Sequence, residues 1–266
     1  MIKAVVFDWA GTVVDYGCFA PLEALKRCFF DKGINVSVEE IRSTMGISKL
    51  EHIQSFCSIP HVQEEWKRNF GRTPTDSDVM NLYREFENIL IPSLQKFSKP
   101  IDGVTAIVEK LRKKGVKIGS TTGYTSEMIK VVASEAEKYG YKPDCIATSS
   151  DVSAGRPFPW MIYQNAINLE VFPMHHIVKV GDTVSDILEG IYAGVWTVGV
   201  IKGGNELGMT KEEVEACDPL VLQEKIRKVR EMFRNAGAHY VIEEISELEC
   251  VIDDIHKRLS ASERPV

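Results

Sequence analysis

No C-x-x-C pair and no regular cysteine spacing occur in this 266-residue chain. Its six cysteines, Cys18, Cys28, Cys57, Cys145, Cys217 and Cys250, therefore read as reduced thiols of a cytosolic protein. No run of lysine or arginine forms a basic stripe, and the net charge is -6, which argues against nucleic acid as a main partner. No apolar run is long enough to cross a bilayer. The N-terminus starts on a strand pattern, so no signal peptide is expected. Internal repeats and low-complexity segments are also missing. His61, His175, His176, His239 and His256 show no metal-ligand spacing and are assigned to surface or satisfied core positions. What remains is an ordinary globular composition, long enough to bury a full core in one large or two modest domains.

The most informative absence is one carboxylate. Lys3-Ala4-Val5-Val6-Phe7 is an apolar run of strand length, and Asp8-Trp9-Ala10-Gly11-Thr12 follows it. A buried strand ending in Asp-x-Asp-Gly-Thr is the nucleophile motif of phosphotransferases that work through an aspartyl-phosphate. Here alanine stands where the second aspartate, the acid for an alkoxide leaving group, would be. Either the enzyme is dead or its leaving group is one that no such acid could help. A carbon leaving group, expelled from a P–C bond, is of the second kind.

Three further strand ends argue against a dead enzyme. Val116 to Thr122 ends in a hydroxyl followed by Gly123, and Gly155-Arg156-Pro157 supplies a fixed cation. Ile177 to Val180 ends in Gly181-Asp182-Thr183-Val184-Ser185-Asp186. In an open parallel sheet such ends converge on one crevice. In this order the four motifs resemble the haloacid dehalogenase (HAD) superfamily. The expected fold is α/β, a HAD-type Rossmann-like parallel sheet core with a small all-helical cap inserted after the first strand.

The spacing of apolar residues supports that layout. Pro21 to Phe30 is helical and stops near Gly33; Ser37-Val38-Glu39-Glu40 is a capping-box pattern; a short helix runs from about Ser48 to Phe56. Thr75-Asp76-Ser77-Asp78 caps a longer helix through Leu94. No strand is expected between Gly17 and Lys96. Beyond it strand and helix alternate, which implies parallel βαβ units. Helices are expected at 103–114, 126–139, 160–169, 184–193, 220–235 and 245–259, and strands at 144–148, 177–180, 196–200 and 239–242. Residues 260–266 are expected to fray. The domain reading is a core of residues 1–16 and 98–266 and a cap of residues 17–97.

Asp8 is the candidate nucleophile. Two anions repel, so a divalent cation is needed, and Mg2+ takes oxygen ligands. Asp8, Asp182 and Asp186 fit, Asp186 directly or through water, together with the backbone carbonyl of Ala10. The alanine thus removes an acid without removing a ligand. Thr122 and Arg156 would hold the phosphoryl oxygens. Lys117 and Lys179 lie in or beside strands and read as snorkelling side chains.

Met45-Gly46-Ile47-Ser48-Lys49-Leu50-Glu51-His52 breaks a helix at Gly46 and starts another. Lys49 and His52 then share a face, with Met45 just across the break. An amine condenses with an aldehyde to an iminium, an electron sink that lets a neighbouring P–C bond break to an enamine. An apolar pocket under Met45 and Ile47 would lower the lysine pKa and leave it neutral to attack. On spacing alone Lys49 is an exposed lysine beside a capping serine; beside Ala10 the Schiff-base reading is favoured.

The runs Phe7 to Thr12, Asp15 to Pro21, Met45-Gly46, Lys49, Gly119 to Tyr124, Ala154 to Pro157 and Lys179 to Asp186 closely resemble the phosphonoacetaldehyde hydrolases (phosphonatases). The resemblance implies hydrolysis of phosphonoacetaldehyde to acetaldehyde and phosphate, with Mg2+, an aspartyl-phosphate on Asp8 and a Schiff base on Lys49. It implies that Cys18, Met45, His52 and Tyr124 surround the lysine, and that Thr122, Gly123 and Arg156 bind the substrate. Cys18 also reads as a small buried filler. Val13 departs from the pattern, since threonine is expected there, and it puts neighbouring hydrogen bonds in doubt. Rival readings are a phosphate-ester phosphatase or mutase, a metal-free dehalogenase and a non-catalytic binding module. Phe158, Trp160, Met161, Tyr163 and Phe172-Pro173-Met174 crowd one helix and its exit, which suggests a homodimer. No membrane partner is expected, and the expected location is cytoplasmic.

Overall fold

A computed structural model describes residues 1–265. Its centre is one six-stranded parallel sheet. β1 (Ala4–Phe7) pairs on one side with β2 (Lys117–Thr122) and on the other with β4 (Ile177–Gly181). β3 (Cys145–Thr148) flanks β2; β5 (Trp196–Val200) and β6 (Tyr240–Ile242) extend the other edge, giving the order β3-β2-β1-β4-β5-β6. Val5 faces Ile118 in β2 and Val178 in β4. Every residue of β1, β4 and β5 is buried, as expected of a parallel sheet covered on both faces. The strand order reverses at β1, where an open α/β sheet places its crevice.

Five helices lie between β1 and the helix that leads into β2. They are α1 (Phe19–Phe30), α2 (Val38–Arg42), α3 (Lys49–Cys57), α4 (Pro60–Phe70) and α5 (Asp76–Ser93). No strand occurs among residues 17–96, as the sequence predicts. The capping boxes at Ser37 and Thr75 both form. α4 was not legible: its sequence is mostly polar, and only Val62 and Trp66 are buried. The two chain segments joining this insertion to the sheet are tied to each other. Val14 bridges Pro100, and the Ile101 N–H donates to the Val13 carbonyl at 2.8 Å.

The remaining helices are α6 (Val104–Lys113), α7 (Ser126–Lys138), α8 (Trp160–Asn168), α9 (Val184–Ala193), α10 (Lys211–Ala216), α11 (Pro219–Asn235) and α12 (Leu248–Ser260). α10 escapes the sequence pattern because none of its residues is buried. The end of the chain was expected to fray from Ser260. Ser260 instead completes α12, and Glu263 accepts from Arg258 Nε at 2.8 Å; Val266 lies outside the described residues. Around α8 the aromatic crowd divides. Met161 is fully buried within the chain, a correction to its place in the interface set, whereas Phe158, Trp160 and Phe172 are exposed.

Candidate active site

Asp8 leaves the end of β1 with its N–H on the Val180 carbonyl at 2.9 Å. The chain then turns tightly, with the Trp9 carbonyl accepting from Thr12, Val13 and Val14. Gly11 sits at φ +87°, and a Cβ there would overlap the Asp182 carboxylate. Only glycine combines that backbone with that approach. Val13 falls in the apolar core, fully buried, so no hydroxyl is needed at its position for packing.

Asp182 follows β4. Its Oδ1 accepts from Thr12 Oγ1 at 2.9 Å and its Oδ2 from the Asn205 N–H at 2.7 Å. Asp186 lies in the first turn of α9, capped by Thr183, whose hydroxyl donates to it at 2.6 Å. Asp8, Asp182 and Asp186 are all buried and bring carboxylate oxygens within 4.8 Å of one another. Burial raises the Asp8 pKa against the pull of Arg156. Burial, with Asp8 and Asp186 adding repulsion, pushes Asp182 well above the usual carboxylate range. Burial also works against Asp186, but Arg156 and Lys179 hold it below its ordinary value.

Arg156 is the hub of this cluster. One terminal nitrogen donates to Asp8 Oδ1 at 2.6 Å and to Thr121; the other lies 3.1 Å from Asp186 Oδ1; Nε donates to Glu189 Oε2 at 2.9 Å. Lys179 completes it and corrects the sequence reading. Its side chain does not snorkel but is fully buried, 2.6 Å from Thr121 Oγ1, 2.8 Å from Asp186 Oδ1 and 3.1 Å from Glu189 Oε2. Lys117, by contrast, reaches the Leu169 carbonyl from the exposed start of β2. Glu189 escaped the sequence reading altogether. Its signal was its place three residues after Asp186, on the face of α9 that meets the sheet. Three buried carboxylates, Asp8, Asp186 and Glu189, thus contact two buried cations, Arg156 and Lys179, and Asp182 lies beside Asp8 and Asp186. Burial and mutual repulsion raise the pKa of Asp8 and Asp182, which a bound cation between them would relieve, and the all-oxygen donor set suits a hard divalent one. The residues present therefore fit a divalent metal.

The insertion closes the crevice from above. Ser48 caps α3, which makes Lys49 its first residue, and Lys49 is buried at 7% exposure. Its Nζ lies 5.2 Å from the Tyr124 ring centroid. Burial pushes its pKa down. Asp8, Ala10, Cys18, Met45, Gly46, Ile47, Lys49, Thr122, Gly123, Tyr124, Arg156 and Thr183 line a partly open cavity of about 30 Å³. Gly123 touches the insertion so closely that a Cβ would overlap the Ile47 carbonyl. Thr122 Oγ1 accepts from the Tyr124 N–H at 3.0 Å. Cys18 is buried in the left-handed region at φ 55°, and burial pushes its thiol pKa well up. His52 is the expected residue that is not brought in. It is buried but does not line the cavity, and its Nε2 donates to the Ile41 carbonyl at 3.2 Å. Burial and Lys49 drive its pKa down to about 3, so it is neutral.

A buried carboxylate, Asp8, a guanidinium, Arg156, and a buried amine, Lys49, thus line one chamber, and the acidic cluster that fits a metal adjoins it through Asp8. A sequence model of haloacid dehalogenase-like hydrolases matches residues 2–194. The chain is 55% identical over 257 residues to the phosphonoacetaldehyde hydrolase of Bacillus mycoides (strain KBAB4), covering 97% of each. It is 53% identical over the same span to that of Bacillus cereus (strain G9842), again covering 97% of each. A crystal structure of a phosphonoacetaldehyde hydrolase-like protein from Oleispira antarctica superimposes with a TM-score of 0.97 at 36% identity, over 99% of this chain and 96% of that one.

Proposed function

The chain belongs to the phosphonoacetaldehyde hydrolases of the haloacid dehalogenase-like hydrolase family, and on that premise we propose that it hydrolyses phosphonoacetaldehyde to acetaldehyde and phosphate through Lys49 and Asp8. The observation that carries this reading is the shared chamber. A buried lysine with a depressed pKa faces the same cavity as Asp8 and as Ala10, where an acid is missing.

Neutral Lys49 Nζ adds to the aldehyde carbon, and loss of water gives an iminium. Asp8 attacks phosphorus. The P–C bond breaks, and its electron pair moves toward the iminium nitrogen to leave an enamine, so no alkoxide forms and no acid at position 10 is required. Proton transfer to the enamine carbon and hydrolysis of the resulting iminium release acetaldehyde and return the amine. Water cleaves the aspartyl-phosphate and returns Asp8. The water lost at the first step is regained at the iminium hydrolysis, so one water is consumed overall.

Arg156 and Thr122 hold the phosphoryl oxygens, with Gly123 beside them. Cys18, Met45 and Tyr124 wall the lysine, and neutral His52 packs behind it. Asp8, Asp182 and the Ala10 carbonyl would hold Mg2+ directly. Asp186 would act through water, since its oxygens already engage Thr183, Arg156 and Lys179. When bound, the ion screens the nucleophile from the anionic substrate. Residues 17–97 act as a cap over the core of 1–16 and 98–266. A 30 Å³ chamber has room for about two water molecules, so the cap must open to admit substrate. The exposed Phe158, Trp160 and Phe172 supply the apolar face of a homodimer. Six free cysteines suit a reducing, cytoplasmic location; no described helix is long and apolar enough to cross a membrane. The test is incubation with phosphonoacetaldehyde and Mg2+. Stoichiometric acetaldehyde and phosphate are expected, and release of neither from active-site-intact protein would sink the reading.

A further inference from the structure

Arg42, the last residue of α2, spans from the insertion to the loop after β5. Its guanidinium donates to Asn205 Oδ1 at 2.9 Å, to the Asn205 carbonyl at 3.3 Å and to the Gly208 carbonyl at 3.4 Å. Asn205 answers with its own amide, donating to the Arg42 carbonyl at 3.4 Å. The loop is shaped for this guest. Gly208, at φ +63°, lies so close that a Cβ would come within 2.7 Å of Arg42 Nε. The guanidinium carbon also stands 5.0 Å from the Phe19 ring centroid, within cation–π range. Asn205 is itself buried at 1% exposure, and its backbone N–H is the donor to Asp182 Oδ2. Gly204 packs its backbone on the same aspartate. One residue therefore touches the insertion with its side chain and a metal-fitting carboxylate with its backbone.

We infer that Arg42 and Asn205 form a latch that holds the insertion shut over the chamber and ties closure to the orientation of Asp182. The inference deepens the functional reading above and rests on it for its catalytic consequence. Arg42 is a positioning residue: it lines no part of the reaction chamber and acts through Asn205. Opening the crevice must break all four polar contacts at once and expose an amide that the closed form keeps from water. Arg42 supplies the charged partner, and charge-assisted hydrogen bonds are the stronger kind.

Cys18 provides a gauge of closure that needs no substrate. It lines the chamber and is buried at 6% exposure, so alkylation of its thiol requires opening. The rate of N-ethylmaleimide labelling at Cys18, resolved by peptide mass spectrometry, reads the open population, with exposed Cys250 as the internal reference. Arg42→Met is expected to speed Cys18 labelling about tenfold, equivalent to about 1.4 kcal/mol. Arg42 favours the Cys18 thiolate, so its removal alone would slow the reaction and a faster rate reads opening. Asn205→Ala is expected to give a smaller gain, because it leaves the guanidinium its bonds to the Asn205 and Gly208 carbonyls, and the double variant less than the two gains combined, because both changes remove the Arg42–Asn205 Oδ1 bond. Arg42→Lys restores part of the protection. In turnover assays the same variants lose kcat/KM mainly through KM. Unchanged Cys18 labelling in folded Arg42→Met and Asn205→Ala, or gains that add in the double variant, would overturn the latch. Should Arg42→Met not fold, Asn205→Ala and Asn205→Ser carry the same comparison. Labelling is independent of what the enzyme hydrolyses, so failure of the latch and failure of the substrate assignment give different results.

Discussion

Replacing Lys179 by methionine separates two pictures of the same residue. A snorkelling lysine contributes little, and its loss changes stability by no more than about 0.5 kcal/mol. The observed lysine is fully buried and lies within 3.1 Å of both Asp186 and Glu189. Methionine keeps the stem but leaves those carboxylates with only Arg156 to balance them. Breaking a buried ion pair from one side costs about 3–5 kcal/mol. At roughly 2–4 °C per kcal/mol for a chain of this size, Tm falls by about 6–20 °C. Differential scanning fluorimetry in chelator reads this term without help from a bound cation. Adding Glu189→Gln to Lys179→Met removes one surplus charge while keeping an acceptor for Arg156 Nε, so part of the loss returns. A Lys179→Met protein within about 1 kcal/mol of the parent in chelator, by denaturant titration, would refute the buried-network account.

Borohydride added during turnover is expected to fix a two-carbon adduct on the peptide containing Lys49, and Lys49→Arg to fail as completely as Lys49→Ala; an active Lys49→Arg with no adduct returns the site to phosphate-ester chemistry. Because burial lowers the Lys49 pKa, the acid limb of the rate profile rises as the amine loses its proton, with a midpoint below the free-lysine value of about 10.4; a limb at the free value contradicts the buried, neutral amine. Gly123→Ala is expected to fold normally but to resist closure by about 1–3 kcal/mol of overpacking against the Ile47 carbonyl, a loss of roughly 5- to 150-fold in kcat/KM; unchanged kinetics would show that the cap does not close this far. Asp15 accepts the N–H groups of Phe19 and Ala20 at the start of α1, yet burial lifts its pKa to about 7. The folded state prefers it protonated, so stability is fullest below its unfolded value and declines between pH of about 4 and 7; Asp15→Asn flattens that part of the denaturant-derived profile, and an identical slope in the variant rejects the assignment.

Much of this was legible because the signals were local. The Asp8 strand end, the Gly11 turn and the capping boxes at Ser37 and Thr75 each depend on residues a few places apart. The place of Lys49 at the cavity was legible only through a chemical argument, in which the missing acid at position 10 made an amine intelligible. Lys179 and Glu189 were not, because a lysine in a strand and a glutamate on a helix look solvent-bound until the partner is known. Each neutralises the other through a contact between β4 and α9 that no short window contains. His52 failed differently. Its side chain meets the Ile41 carbonyl of the neighbouring helix α2, and a buried imidazole takes the acceptor at hand. α4 and α10 were missed because helices that bury two residues or none carry almost no apolar period.

The bridge between Val14 and Pro100 has a mechanical consequence. A body hung on one flexible tether can swivel, tilt and drift, and must search for its seat each time it returns. Two tethers knotted together near their roots act as a strap hinge, which leaves one swing and blocks the rest. In the function proposed above, an insertion strapped in this way would return along the path by which it left and bring Lys49 back over Asp8 in the same pose. On that reading, accuracy at the chamber would be set by backbone contacts that run from Ala10 through Val14 to Pro100, none of them made by a reacting side chain.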